Sequence, residues 1–188
     1  MFKDPNKTIN GLGNATILDF WRWAYSDILN NRNRSIFAEF IVGNALDILH
    51  HPREEWAPYD FEYNGLKIEV KSAAFVQSWE QENPSKISFD VSKKQEIDED
   101  GYYTGVTIRP ADLYIFSLFS ETNMESANVL DINAWQFYIV PTHFIDEKFG
   151  DQKSVTLNRL KEIRTPVNYG DIKNVVDAFC KIIPRPLI

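Results

Sequence analysis

Apolar positions recur with helical spacing at both ends of the chain and with strand-like spacing between them. The run ILDFWRWAYSDIL after Thr16 reads as a helix, because Thr16 with Asp19 three residues on makes a capping box. The polar run NNRNR (30–34) breaks that helix, and Ser35 caps a second one, IFAEFIVGNALDIL, which ends before HHPREE. YDFEY and LKIEVKSAAF then flank Asn64-Gly65, a strong short-range hairpin signal. KISFDV (86–91) alternates and reads as a third strand. The polar stretch from Lys93 to Ala111 reads as an excursion. DLYIFSLF (112–119) and WQFYIVPT (135–142) are nearly continuous apolar runs, the pattern of strands covered on both faces. HFIDEKF reads as a short helix, and SVTLNRLKEI as a strand end running into another. GDIKNVVDAFCKII is an amphipathic helix stopped by Pro184 and Pro186. Buried strands need a layer on each face, so the expected fold is α/β: a central mixed β-sheet flanked by helices, an α/β/α sandwich.

With 188 residues and 44% hydrophobic content, the chain is expected to form one domain over 1–188, with residues 1–13 a loose lead-in. The formal net charge of −7 does not point to nucleic acid, yet a local basic groove is compatible with it. A single cysteine, Cys180, excludes an internal disulfide and a Cys-cluster zinc site, and its apolar neighbours predict a buried structural thiol. No apolar run approaches the roughly 20 residues that cross a bilayer, and MFKDPNKTINGLGN lacks a signal-peptide core. The expectation is a soluble cytoplasmic protein with no membrane association.

The charges inside the hairpin change the picture. Alternation places Lys67, Glu69 and Lys71 on one face of the second strand. A two-residue turn at Asn64-Gly65 pairs Tyr63 with Leu66 and Phe61 with Ile68, and continued pairing sets Asp60 opposite Glu69. Two facing carboxylates repel. A divalent cation between them would relieve the repulsion, and a lysine beside it could hold an attacking water. On the second helix Glu39 falls at the edge of the apolar arc, beside Leu46, where its carboxylate can reach the sheet. The competing account is a solvated hairpin face with cross-strand Glu–Lys pairs worth a few tenths of a kcal/mol.

Glu39 on a helix, Asp60 on one strand and Glu69-Val70-Lys71 on the next resemble the PD-(D/E)XK nuclease superfamily, the restriction-endonuclease-like fold. The resemblance covers residues 17 to about 120 in layout and 39–91 in motif, and DFWRWAYSDIL and IEVKSAAFVQSW look like a single-domain bacterial branch. It implies an αβββαβ core and a metal-dependent endonuclease acting on DNA. Asp60, Glu69 and the Val70 carbonyl would bind Mg2+, with Mn2+ as a substitute. Lys71 would position or activate water, and Glu39 would support a second metal or its waters. The family's Pro-Asp becomes Pro58-Tyr59-Asp60 here, a departure of one inserted residue.

Around this motif, Gln77 and Ser72 are candidate nucleic-acid contacts, and Trp79 could stack on a base. Arg32, Arg34 and Lys86, with Lys93, Lys94 and Arg109, are candidate phosphate contacts; for any one of them a scattered surface charge is the plainer account. His50 and His51 end the second helix and suit its C-terminal dipole. No Gly-rich phosphate loop, GxSxG or HExxH occurs. The alternative function is a catalytically inactive nucleic-acid-binding or assembly module on the same fold. Specificity would come from the loops 92–110 and 120–134 or from a homodimer.

Overall fold

The computed structural model describes residues 1–98 and 100–183. Strands β1 (Phe61–Tyr63), β2 (Leu66–Ala74), β6 (Leu113–Phe119) and β7 (Trp135–Pro141) form one mixed sheet in the order β1-β2-β6-β7. β2 runs parallel to β6, and the other two pairings are antiparallel. Side chains alternate across this sheet to feed two cores. Ile68, Val70, Leu113, Ile115, Phe137 and Ile139 face helices α2 (Asn31–Leu46) and α5 (Ile172–Ile182). Ala73, Tyr114, Phe116, Tyr138 and Val140 face the other way, against α3 (Thr142–Phe149), α4 (Leu157–Ile163) and the ribbon of β3 (Ser88–Asp90) with β8 (Ser154–Thr156). The sheet is thus covered on both faces, as the apolar runs of β6 and β7 require.

The hairpin closes as expected. Phe61 pairs with Ile68 and Tyr63 with Leu66, and Asn64 and Gly65 both adopt positive φ (49° and 78°), which an Asn-Gly turn accepts at low cost. The capping box also forms: Asp19 N–H donates to Thr16 Oγ1, and Thr16 N–H donates to Asp19 Oδ2. It opens α1 (Ile17–Tyr25), a helix with no buried residue.

Elsewhere the structure departs from the sequence reading. NNRNR is the first turn of α2, and Asn30 rather than Ser35 is its N-cap, accepting from Arg32 N–H. The first helix ends earlier than expected, at Tyr25, and the side chains of the polar run close the loop that follows it. Asn33 Nδ2 donates to the carbonyls of Ala24 and Asp27, and Arg34 Nη1 donates to that of Leu29. α2 ends at Leu46 on a left-handed Asp47, so the exposed His50 and His51 lie beyond the reach of its dipole. β3 does not join the central sheet; it pairs with β8. The excursion contains a ribbon of β4 (Lys94–Ile97) and β5 (Tyr103–Ile108). The chain therefore passes from β2 to its parallel neighbour β6 through two ribbons instead of a crossover helix. Within residues 1–13, the carbonyls of Lys7 and Pro5 accept from Ile17 and Leu18 N–H at the start of α1. Cys180 is half-buried against the first core. Pro184 and Pro186 lie outside the described residues. No helix among the described residues is long and apolar enough to cross a membrane.

Candidate active site

β1 is three residues long and β2 is nine, so the outer edge of β2 is unpaired beyond Ile68. The ladder stops at Asp60. Its N–H donates to the Ile68 carbonyl at 3.0 Å, but the next ladder donor, Val70 N–H, is taken by the Asp60 carboxylate at 2.6 Å. This corrects the expected pairing of Asp60 opposite Glu69. A side-chain oxygen stands in for the backbone acceptor, and the carboxylate lies along the sheet edge. Because N–H and C=O of one residue in an extended strand point to the same side, the Val70 carbonyl faces that edge too.

Two further carboxylates approach this point. Glu39 reaches it from α2, where Gly43 lets the helix pass close to the sheet: a Cβ there would lie 3.1 Å from the Phe61 ring. Glu39 is 6% exposed and receives a two-pronged ion pair from Arg53, Nη2 to Oε1 at 2.9 Å and Nε to Oε2. Glu69 is 4% exposed and accepts from Lys71 Nζ at 2.6 Å and from Lys94 Nζ at 3.3 Å. Burial pushes the Asp60 carboxyl up to about 7, and the nearby charges of Glu39 and then Glu69 add to the rise. Val70 N–H and Lys71 oppose it. The Glu39 carboxylate holds the Arg53 guanidinium well above its ordinary range.

Among the described residues no three His, Cys, Asp or Glu side chains are gathered so as to hold a metal ion. Each carboxylate is turned to a partner within the chain. The donor chemistry nonetheless suits a hard cation: carboxylate oxygens and one strand carbonyl at a single sheet edge are the ligand types that magnesium takes.

A cleft of about 560 Å³ opens on this edge. Glu39, Asp60, Val70 and Lys71 line it, while Glu69 sits behind Lys71 and does not. A second, more apolar hollow of about 1120 Å³ shares Glu39, Arg53 and Asp60 with it and carries Phe40 and the 96% exposed Trp56. Ser72, Gln77, Arg34, Lys86 and Trp79 all line the first cleft. Arg32 is exposed and does not. Gln77 is buried: its Oε1 accepts from Arg34 Nη1 at 2.9 Å, and its Nε2 donates to the Ala74 carbonyl at 3.0 Å. Lys93 pairs with Asp151, away from the cleft. Arg109 is a buried staple that binds Asp146 and the carbonyls of Val91, Gly150 and Gln152, so neither contacts a substrate there.

Sequence reasoning missed Arg53, the counter-ion of Glu39, because HHPREE read only as the end of a helix. It also missed Asp90, which alternation placed on β3 and the fold brings to the cleft. Lys94 counted there as a scattered cation; the ribbon it starts brings it to Glu69. No protein-family model, curated protein or solved structure matches the chain significantly.

Proposed function

We propose that this protein is a metal-dependent endonuclease of the PD-(D/E)XK kind, hydrolysing DNA phosphodiester bonds with metal-activated water in the cytoplasm. The observation that carries the reading is the approach of Glu39 and Glu69 to a half-buried Asp60 at the unpaired edge of β2, with Lys71 between Glu69 and the cleft. A buried carboxylate whose proton affinity is raised by neighbouring carboxylates makes a site that a cation relieves. Asp60, Glu69 and the Val70 carbonyl would hold Mg2+, with Mn2+ as a substitute, once Glu69 is released from its lysines. The bound ion supplies Lewis acidity toward the phosphodiester and a more acidic water. Lys71, freed from Glu69, holds the attacking water or offsets charge building on phosphorus. Glu39, steadied by Arg53, orients water on the far side of Asp60.

A second reading, a non-catalytic module on the same fold, is favoured by one observation: every carboxylate of the cluster already has a partner in the chain. Incubating the protein with supercoiled, linear duplex and single-stranded DNA in Mg2+, Mn2+ or EDTA separates the two. The nuclease reading expects cleavage in either metal, none in EDTA, and a loss of about 10²-fold or more in Asp60→Ala and Lys71→Ala. Absence of cleavage on all three substrates, or full activity in both variants, leaves the non-catalytic module.

A further inference from the structure

Arg34 is 3% exposed and lines the cleft, yet among the described residues it has no carboxylate partner. The other well-anchored arginines differ: Arg53 holds Glu39, and Arg109 holds Asp146. The four hydrogen bonds of Arg34 all go to neutral acceptors, namely Ser72 Oγ at 3.2 Å, Leu29 O at 2.8 Å, Gln77 Oε1 at 2.9 Å and Asn31 Oδ1 at 2.5 Å. Of the five guanidinium N–H groups, one on Nη2 is left over. Burial alone depresses its pKa to about 10. A buried cation without a counter-charge is costly. The positive charge therefore calls for a purpose beyond closing the loop.

We propose that the cleft wall around Arg34 is a phosphate subsite, which takes a non-scissile phosphodiester of the substrate strand beside the carboxylate cluster. Its identity as a nucleic-acid subsite rests on the nuclease reading above; its preference for an anion does not. Lys86, exposed on the lip of the same cleft, adds a second positive charge, and Asn31 brings the N-terminal turn of the sixteen-residue α2 to the wall. Glu39, Asp60 and Asp90 also line the cleft and repel an anion. The subsite is therefore at the Arg34 end, where Asn31, Ser72 and Gln77 are neutral. Guanidinium is suited to this task by its planar array of donors.

The test is run in EDTA, so that it does not depend on metal or on cleavage. Inorganic phosphate is titrated at constant ionic strength against a chloride control, following the Arg34 Nε–H resonance by NMR. Binding of a short oligothymidylate is then measured by fluorescence anisotropy. The subsite predicts that phosphate and the oligonucleotide both move the Arg34 resonance. It predicts that Arg34→Met weakens oligonucleotide binding about tenfold or more, and that Lys86→Ala weakens it about threefold with a shallower salt dependence. Lys86 is exposed, so its variant decides the matter should Arg34→Met fail to fold. A resonance unmoved by both ligands, or wild-type oligonucleotide affinity in the variants, overturns the subsite. Anion binding at Arg34 in a protein that cleaves nothing upholds the subsite and removes the nuclease reading. Metal-dependent cleavage with a silent Arg34 does the reverse.

Discussion

At Asp60, burial and two neighbouring carboxylates act in the same direction, and the consequence is a pH-dependent stability of unusual sign. The folded carboxyl titrates at about 7 and the unfolded one near the ordinary 3.8. Between these values the folded state binds a proton that the unfolded state lacks, so stability falls as pH rises through the window and the loss is complete above about pH 7. Asp60→Asn keeps an acceptor for Val70 N–H while removing the charge. In EDTA, this variant is expected to be more stable than wild type at pH 8 by about 2–4 kcal/mol, converging with it near pH 4. Denaturant melts at the two pH values check this; a variant less stable at pH 8 would show that Asp60 is not strained by its neighbours. Arg109 offers the contrasting case of a charge fully engaged. Arg109→Met removes the donor to the buried Val91 carbonyl and to the carbonyls of Gly150 and Gln152, and is expected to cost about 3–5 kcal/mol, read as a fall in the denaturation midpoint.

Among the elements, α2 and the β1–β2 hairpin set the site between them. Gly43 is a point of tight approach, and a branched side chain there would meet both Leu49 and the Phe61 ring. Gly43→Val is expected to lose about 1–3 kcal/mol of stability and to shift Glu39 away from Asp60. The resulting drop in the Asp60 carboxyl pKa, followed by NMR, distinguishes a moved helix from general loosening. Much of this arrangement was legible in the sequence where one local rule acts alone. The Asn64-Gly65 turn imposes its register, the Thr16–Asp19 box opens α1, and the apolar runs of β6 and β7 announce a doubly covered sheet. The reading failed where a side chain took over a backbone function. NNRNR looked like a breaker because hydrophobicity cannot show that Asn33 and Arg34 bind loop carbonyls. Asp60 looked like a ladder residue because periodicity cannot show a carboxylate accepting the bond from Val70. KISFDV has a strand pattern, but no pattern tells which sheet a strand joins; its partner, β8, lies more than sixty residues away.

For the whole molecule, the net charge of −7 and an internally ion-paired cluster predict that a divalent cation is felt as stability before it is seen as chemistry. At a Mg2+ concentration about ten times its dissociation constant, ligand linkage adds about 1.4 kcal/mol, a rise of roughly 3–6 °C in melting temperature. Differential scanning fluorimetry should show the rise at pH 8 in wild type and none in Asp60→Ala; an equal rise in both would place the ion elsewhere. The short β1 has a further effect. It leaves the outer rim of a nine-residue strand bare, and such a rim is a template for another chain to pair with. Asp60 covers Val70 N–H, Gln77 covers the Ala74 carbonyl, and Lys71 sets a charge between them. The same groups proposed for catalysis and substrate contact thus keep neighbouring molecules apart. A triple variant Asp60→Ala, Lys71→Ala, Gln77→Ala is expected to self-associate with rising concentration, measured by light scattering, and inactivating this centre would then cost the protein its solitude as well as its chemistry.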